Sequence, residues 1–274
     1  MAKVIGAQHS DFVQGQVGGT CFRGYRGQNI VSCSRRMTKS KPGQKLLRSP
    51  LDLKKLFARY SADQLVTLRT VPPNFFVTSW GDQKGGIGVA SETVLVRQPA
   101  WLASDSERGG RAYVEPDGLD DGLLTATLTA ALQQPFELWM VSSEPIVTAS
   151  EKKMLGFLTG TNTGVYREAP PSTIYKMKMT DARICGNLGD GKVKVWRWRF
   201  GTDYMNMEWN GGPQFPNQPP SAGGLAGLRF FNQGGSSNFC KFKCFEIAIF
   251  SSILSEVERG QLLRWYFDTY NLPD

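Results

Sequence analysis

Many short runs of apolar, β-branched and aromatic residues fill the chain after residue 65, and breaks rich in Gly, Pro, Asn and Asp separate them. Such runs are typical of strands, and such breaks are typical of turns. The predicted strands are residues 65–69, 74–79, 93–97, 136–142, 154–158, 192–200, 204–209, 227–231 and 241–250. Many short strands in succession indicate a β-sandwich or barrel and exclude a parallel α/β sheet.

The end of the chain carries a helix signal. Ser255 and Glu258 have the spacing of a capping box, which starts a helix by pairing two side chains with backbone N–H groups. Apolar residues then recur on one helical face: Leu262, Leu263, Tyr266, Phe267 and Tyr270. We therefore expect one C-terminal helix that packs on the sandwich.

Positive charge is concentrated at the start of the chain. The net charge is +8, but residues 1–60 hold twelve Lys/Arg against Asp11 and Asp52, which is a local charge of +10. The remaining residues hold twenty basic and twenty-two acidic groups, which is a local charge of −2. This imbalance indicates an acidic partner surface or nucleic acid. The basic segment has no recognised nucleic-acid module and few aromatic residues for stacking, so we favour an acidic protein surface.

These patterns divide the chain into three parts. Residues 1–48 are a basic N-terminal arm, in which two short extended runs around Gly27 predict a β-hairpin. Residues 49–64 predict a short helix or connector, because Ser49 can cap it and Pro50 suits its first position. Residues 65–274 are the sandwich domain. No run approaches the ~20 apolar residues of a membrane span, and the N-terminus lacks a signal-peptide pattern, so we expect neither membrane insertion nor ordinary secretion.

Three stretches of the large domain resemble concanavalin A-like, laminin-G-like modules of phage and bacterial surface proteins. They are residues 77–86, a strand and glycine-rich turn; residues 111–123, a strand and Asp-rich turn; and residues 245–259, a closing strand and helix start. Pro116 replaces the aromatic residue usual in the second stretch. The resemblance implies an all-β jelly-roll sandwich with a C-terminal helix, preceded by the arm with its hairpin and short helix.

The arm has a resemblance of its own. Residues 15–32 look like the opening of short proteins encoded among phage structural genes. The two resemblances imply a non-enzymatic structural component of a bacteriophage virion, either a capsid decoration protein or a tail or fibre-associated protein, assembled in the host cytoplasm. The arm would anchor it to capsid or tail subunits, within a homo-oligomer or symmetric assembly. The predicted anchoring residues are Arg23, Arg26, Arg35, Arg36, Lys39 and Lys41.

The alternative hypothesis is a glycan-binding or glycan-cleaving module of a bacterial surface protein. Trp196 and Trp198 share one face of a predicted strand, and Trp209 and Asn210 end the next one. Flat aromatic rings stack on sugar faces, so these four residues are the candidate contacts to a host surface glycan. The competing interpretation places the tryptophans in the core. The Gly/Pro/Asn-rich loop 210–224 is a second place for recognition.

Some carboxylates of the chain could act as metal ligands or as catalysts. Asp117, Asp120 and Asp121 form the densest cluster, which suits calcium, although Asp side chains also stabilise turns by accepting from backbone N–H groups. The E-x-D-x-x-E pattern of concanavalin A-like glucanases is not found, and Glu246 has no second acid on its strand. We therefore expect no cofactor and no enzymatic activity, and we interpret Glu246 as a structural residue.

Overall fold

The computed structural model describes residues 12–17, 20–25, 28–32, 47–144, 152–158, 163–167, 174–178, 182–187, 192–212, 218–219, 222–231 and 240–273. The chain divides into two compact units, Met1–Leu46 and Leu47–Asp274. Because residues 47–64 fall within the second unit, that unit begins earlier than the sandwich boundary at residue 65 that the sequence suggests.

The first unit contains a three-stranded antiparallel sheet. Its strands are β1 (Phe12–Val17), β2 (Thr20–Tyr25) and β3 (Gln28–Ser32), in that order. The predicted hairpin is β2–β3, in which Tyr25 pairs with Gln28, and β1 adds a strand that the sequence did not predict. Of the predicted anchoring residues, Arg23 lies in β2, and the other five lie outside the described residues: Arg26, Arg35, Arg36, Lys39 and Lys41.

The second unit is built from short strands and one helix. The strands are β4 (Leu56–Ser61), β5 (Val66–Val71), β6 (Asn74–Trp80), β7 (Ala90–Ser91), β8 (Ala100–Asp105), β9 (Arg111–Glu115), β10 (Leu123–Thr125), β11 (Leu132–Gln133), β12 (Phe136–Ser143), β13 (Lys152–Phe157), β14 (Gly164–Arg167), β15 (Ile174–Lys178), β16 (Ala182–Asn187), β17 (Val193–Phe200), β18 (Met205–Trp209), β19 (Gly224–Leu225), β20 (Leu228–Phe230) and β21 (Cys244–Phe250). The helix is α1 (Glu256–Tyr270). All strand pairs are antiparallel, as expected of a sandwich.

Sixteen of these strands join into one long sheet that folds over a shared core. Their order is β16-β15-β14-β13-β20-β10-β7-β6-β8-β9-β21-β12-β17-β18, with β4 beside β21 and β5 beside β6. β11 and β19 pair separately. The predicted fold class, an all-β jelly-roll sandwich with a C-terminal helix, is confirmed.

Alternating side chains of the central strands create two cores. On β12, Leu138 and Met140 belong to the main core between the layers, whereas Trp139 and Val141 belong to a second core beneath α1. β21 repeats this pattern, because Ile247 and Ile249 join the main core, whereas Ala248 and Phe250 join the other. A strand buried on both faces reads as a continuous apolar run, which explains why β12 and β21 were recognisable from sequence.

The helix forms as its local signals predict. The Ser255 side chain accepts a hydrogen bond from the Glu258 N–H, and the Glu258 carboxylate accepts one from the Ser255 N–H. Leu262, Tyr266 and Tyr270 are the buried residues of α1. Within the described residues, no helix is both long and apolar enough to cross a membrane.

Two local predictions need correction. The helix predicted within residues 49–64 does begin with the Ser49 cap and Pro50, but it is only one 3-10 turn, Pro50–Asp52, and the chain then enters β4, which pairs with β21. The apolar residues there fit both helical and strand periods, and pairing with β21 decides between them. The strand predicted at residues 93–97 is instead an exposed 3-10 turn, Leu95–Arg97.

Candidate functional site

An open cleft on the surface of the second unit is the candidate site. It has a volume of about 480 Å³. Its lining residues come from β5, β6, β8, β9 and the loops beside them: Arg69, Val71, Phe76, Leu95, Val96, Gln98, Ala100, Glu115, Pro116, Asp117, Asp121 and Lys241. The volume is within the range of small-molecule sites, and the walls mix apolar and charged groups as such sites do.

The apolar part of the cleft is unusually exposed. Leu95 and Val96 expose 57% and 75% of their surface, and Val71 exposes 44%. Phe76 is half-buried beside them. Apolar side chains grouped at a concave surface mark ligand-binding regions more often than isolated exposed ones do.

One wall of the cleft holds a fixed arginine. The Nε of Arg69 donates to Oε1 of Gln98 at 2.7 Å, and its Nη2 donates to the carbonyl of Leu95 at 2.9 Å. Its guanidinium carbon lies 4.9 Å from the ring centroid of Phe76. Gln98 is buried, and its Nε2 donates to the carbonyl of Glu92 at 3.0 Å. The guanidinium is therefore positioned by several partners at once.

The lining of the cleft also includes Asp117 and Asp121, two residues of the Asp cluster found in the sequence. Carboxylate oxygens of Asp117, Asp120 and Asp121 lie within 4.8 Å of one another. The Asp121 carboxylate accepts from the Asp117 N–H at 2.7 Å, and the Asp117 carboxylate accepts from the Leu119 N–H at 2.7 Å. These bonds are those of an Asp-stabilised turn. Calcium prefers carboxylate oxygens, but two of the three carboxylates are already engaged by the turn, so the turn accounts for the cluster.

The Asp121 carboxyl has an altered pKa. Burial raises the pKa of Asp121 to about 7, against the opposing effect of the Asp117 N–H, and the nearby charges of Asp117 and Asp120 raise it further. Burial favours the neutral form of a carboxyl, and so do neighbouring negative charges. The Asp121 carboxyl is therefore partly protonated near neutral pH.

The tryptophans predicted to contact a glycan do not form a surface platform. Trp196 and Trp198 are fully buried in the main core, where their rings stack 5.9 Å apart. Trp209 is partly buried against the same core. Asn210 is a turn residue whose Oδ1 accepts from the Val195 N–H at 2.9 Å. The glycan prediction for Trp196 and Trp198 was wrong because their face of β17 is the inner one.

Glu246 does not line the cleft. It is completely buried, and Arg59 donates to both of its oxygens, from Nε at 2.8 Å and from Nη2 at 2.7 Å. The hydroxyls of Tyr266 and Tyr270 donate to the same carboxylate at 3.2 and 2.8 Å. Burial raises the pKa of both tyrosines well above the usual range, and the charge of Glu246 adds to this. This network ties β4 and β21 to α1.

A second buried network lies beneath α1. Arg197 donates to Glu137 and, at 3.2 Å, to Glu208, and Arg259 of α1 also reaches Glu208 at 3.3 Å. Both glutamates are almost completely buried. These carboxylates are neutralised by arginines and shielded from solvent, so they serve the packing of the helix.

The cleft itself was missed by reasoning from sequence. The sequence places Arg69 and Phe76 in predicted strands but gives no site role to them or to Gln98, because no spacing rule connects residues of different elements. The one sequence feature that points to the cleft is the apolar run Val94-Leu95-Val96, which lies just before Gln98. It was interpreted as part of a strand at residues 93–97, but its side chains are exposed.

Comparison with known proteins shows the fold. No family model matches the sequence, and no curated protein matches it either. The sialidase of Trypanosoma rangeli in complex with sialic acid is similar, with a TM-score of 0.54 and 9% identity, over 96% of this chain and 44% of the sialidase. The binding domain of Paraclostridial Mosquitocidal Protein 1 is similar, with a TM-score of 0.55 and 10% identity, over 78% of this chain and 53% of that one. The chain thus spans about half the length of these proteins, and the likeness supports the β-sandwich fold.

Proposed function

We propose that the second unit is a carbohydrate-binding module that holds a sugar in the cleft between Arg69 and Asp117 without cleaving it. The observation that carries the proposal is the cleft itself, whose open volume of about 480 Å³ is lined by exposed apolar side chains together with charged groups of both signs. This makes the alternative hypothesis from sequence, a glycan-binding module, the preferred one.

The chemistry of the cleft suits a sugar. A sugar ring has apolar C–H faces, which Phe76, Leu95 and Val96 can cover. Its hydroxyl groups donate hydrogen bonds, which carboxylates such as Glu115 and Asp117 accept. Sites of this kind bury apolar surface and use a few placed polar groups to set orientation.

That the sugar is not cleaved is part of the proposal, and the state of Asp117 and Asp121 supports it. Glycoside hydrolysis needs a general acid and a second carboxyl that both reach the scissile bond. Asp121 has a suitably raised pKa, but it is 5% exposed and accepts from the turn N–H of Asp117. Asp117 is itself engaged by the Leu119 N–H. The two residues therefore hold the turn and do not present a free pair.

The solved structures support this class of function. The Trypanosoma rangeli sialidase is described in complex with sialic acid, and the mosquitocidal protein fragment is a binding domain. The neighbours give no support to a virion component, to capsid or tail partners, or to a symmetric assembly. Those statements, and the anchoring role of the arm, stay predictions from the two sequence resemblances and the charge of the arm.

The test is a glycan array probed with the full-length protein and two matched variants. Val96→Arg places a long charged side chain at the rim of the cleft, and Val257→Arg makes the same change on the exposed surface of α1. Both valines are more than half exposed, so both variants should fold. We expect wild type and Val257→Arg to bind the same glycans and Val96→Arg to lose them. Equal binding by all three proteins, or no binding at all, would contradict the proposal.

Incubation of each bound glycan with wild-type protein tests the second half of the proposal. We expect no new reducing ends. Release of reducing ends that Asp121→Asn abolishes, while thermal unfolding shows the variant to be folded, would show that the module is a hydrolase.

A further inference from the structure

The cleft contains a cationic group that is held in place but not neutralised. Among the described residues, no carboxylate forms an ion pair with Arg69, although Gln98, Leu95 and Phe76 fix its guanidinium. Most of the other buried or half-buried arginines that the structure describes in this unit form an ion pair with an acidic residue, as Arg59 does with Glu246. An arginine fixed by neutral partners keeps its full charge available for a ligand.

The hydrogen-bonding capacity of Arg69 is only partly used. A guanidinium carries five N–H donors. One donor on Nε and one on Nη2 are engaged by Gln98 and Leu95. Within the described part of the chain, Nη1 has no partner, so both of its N–H groups and the second one of Nη2 remain. One N–H from each terminal nitrogen is the set that binds a carboxylate through both oxygens.

Lys241 adds a second cation to the same cleft. Its side chain is exposed, and no described acid lies within ion-pair distance of it. The cleft is also lined by three acidic residues, Glu115, Asp117 and Asp121, so its lining carries both positive and negative groups. Because burial raises the pKa of Asp121, this carboxyl repels an anion less than an ordinary aspartate would.

We infer that the cleft selects an acidic sugar, with the sugar carboxylate paired to Arg69 and the sugar hydroxyls turned toward Glu115 and Asp117. This inference rests on the proposed function and names its ligand class. Leu95 and Val96 then cover the C–H face of the ring between the two polar ends. A neutral sugar would remove water from Arg69 without giving it an anionic partner, so the binding of a neutral sugar is disfavoured.

The first experiment compares sugars that differ only in their charge. Binding of the full-length protein to trigalacturonic acid and to 3′-sialyllactose, and to the methyl ester of each, is measured by titration calorimetry. We expect at least one acidic member to bind about tenfold or more tightly than its neutral counterpart, which is the scale of a lost charged hydrogen-bond pair. Equal affinity within both pairs would overturn the inference.

The second experiment changes the arginine. Arg69→Gln removes the charge and should abolish the preference for the acidic sugar, whereas Arg69→Lys keeps the charge without the paired donors and should retain part of it. Arg264→Gln, on the exposed face of α1, is the matched control and should bind as wild type does. Thermal unfolding of each variant shows whether it is folded. An acid preference that survives unchanged in folded Arg69→Gln would overturn the role of Arg69.

Different results contradict the proposed function and the acidic-sugar inference. If the array shows binding to neutral glycans that Val96→Arg abolishes, the proposed function stands and the acidic-sugar inference is wrong. If no glycan of either kind binds, the proposed function fails, and the inference fails with it.

Discussion

Arg59 and Glu246 form a buried pair in which the guanidinium donates to both carboxylate oxygens, at 2.8 and 2.7 Å. Burial lowers the pKa of Arg59, but the hydrogen bond and the charge of Glu246 outweigh it and raise that pKa overall. The pair joins neighbouring strands, because β4 carries the arginine and β21 carries the glutamate. Two tyrosines of α1 complete the carboxylate's hydrogen bonds, so the helix is anchored to the same point.

Glu246→Gln should strongly destabilise the second unit. The substitution removes the negative charge and leaves Arg59 buried without a counter-ion, and breaking a buried pair in this way costs about 3–5 kcal/mol. The free energy of unfolding, measured in urea at neutral pH, checks this value. Glu107→Gln is the control, since Glu107 is 81% exposed in its pair with Arg108 and such pairs contribute about 0–1 kcal/mol. Equal, small effects of the two variants would contradict the structural role of Glu246.

Asp121→Asn should change how stability depends on pH. The Asp121 carboxyl has an ordinary pKa near 4 when unfolded and a pKa of about 7 in the folded protein. The neutral Asp121 carboxyl therefore stabilises the folded state in full below about pH 4, and this stabilisation is lost as pH rises toward 7. We expect the variant to be more stable than wild type at pH 8, because asparagine carries no charge and its side-chain oxygen still accepts from the Asp117 N–H. This difference in stability should shrink toward pH 4.5, where the wild-type carboxyl is neutral as well.

Unfolding of both proteins in urea between pH 4.5 and 8 measures that margin. Asp268→Asn, outside the turn and on the exposed face of α1, should follow the wild-type pH profile with a constant offset. A constant offset for Asp121→Asn as well would show that the folded-state pKa of Asp121 is ordinary.

Removal of residues 1–46 should leave a folded module. Both hydrophobic cores of the described structure consist of residues from Leu47 onward, and the compact unit begins there. The truncated protein should unfold in one cooperative transition and bind the same glycans as the full-length chain. Loss of the transition would show that the arm is part of the folding unit, and loss of binding alone would place part of the site in the arm.

The parts of the fold that could be read from sequence are those with strong local signals. The Ser255 cap and the spacing of Leu262, Tyr266 and Tyr270 define α1 without any tertiary information. β12 and β21 were recognisable because both of their faces are buried. β4 was missed because its residues suit a helix equally well, and its pairing with β21, almost 190 residues later in the numbering, decides the outcome.

The candidate site depends still more on tertiary structure. Arg69 of β5, Gln98 before β8 and Asp117 after β9 meet at one cleft, and no spacing rule connects them. The Trp196 and Trp198 prediction failed for a related reason. Strand alternation shows that two side chains share a face, but it does not show which face becomes the core.

A crystal structure of the protein with an oligosaccharide selected from the glycan array tests the central claim most directly. The account predicts a sugar ring in the cleft, with one end within hydrogen-bond distance of the Arg69 guanidinium, the other near Asp117, and its C–H face against Leu95 and Val96. A sugar bound at the 210–224 loop or on another face, with the cleft unchanged, would contradict it.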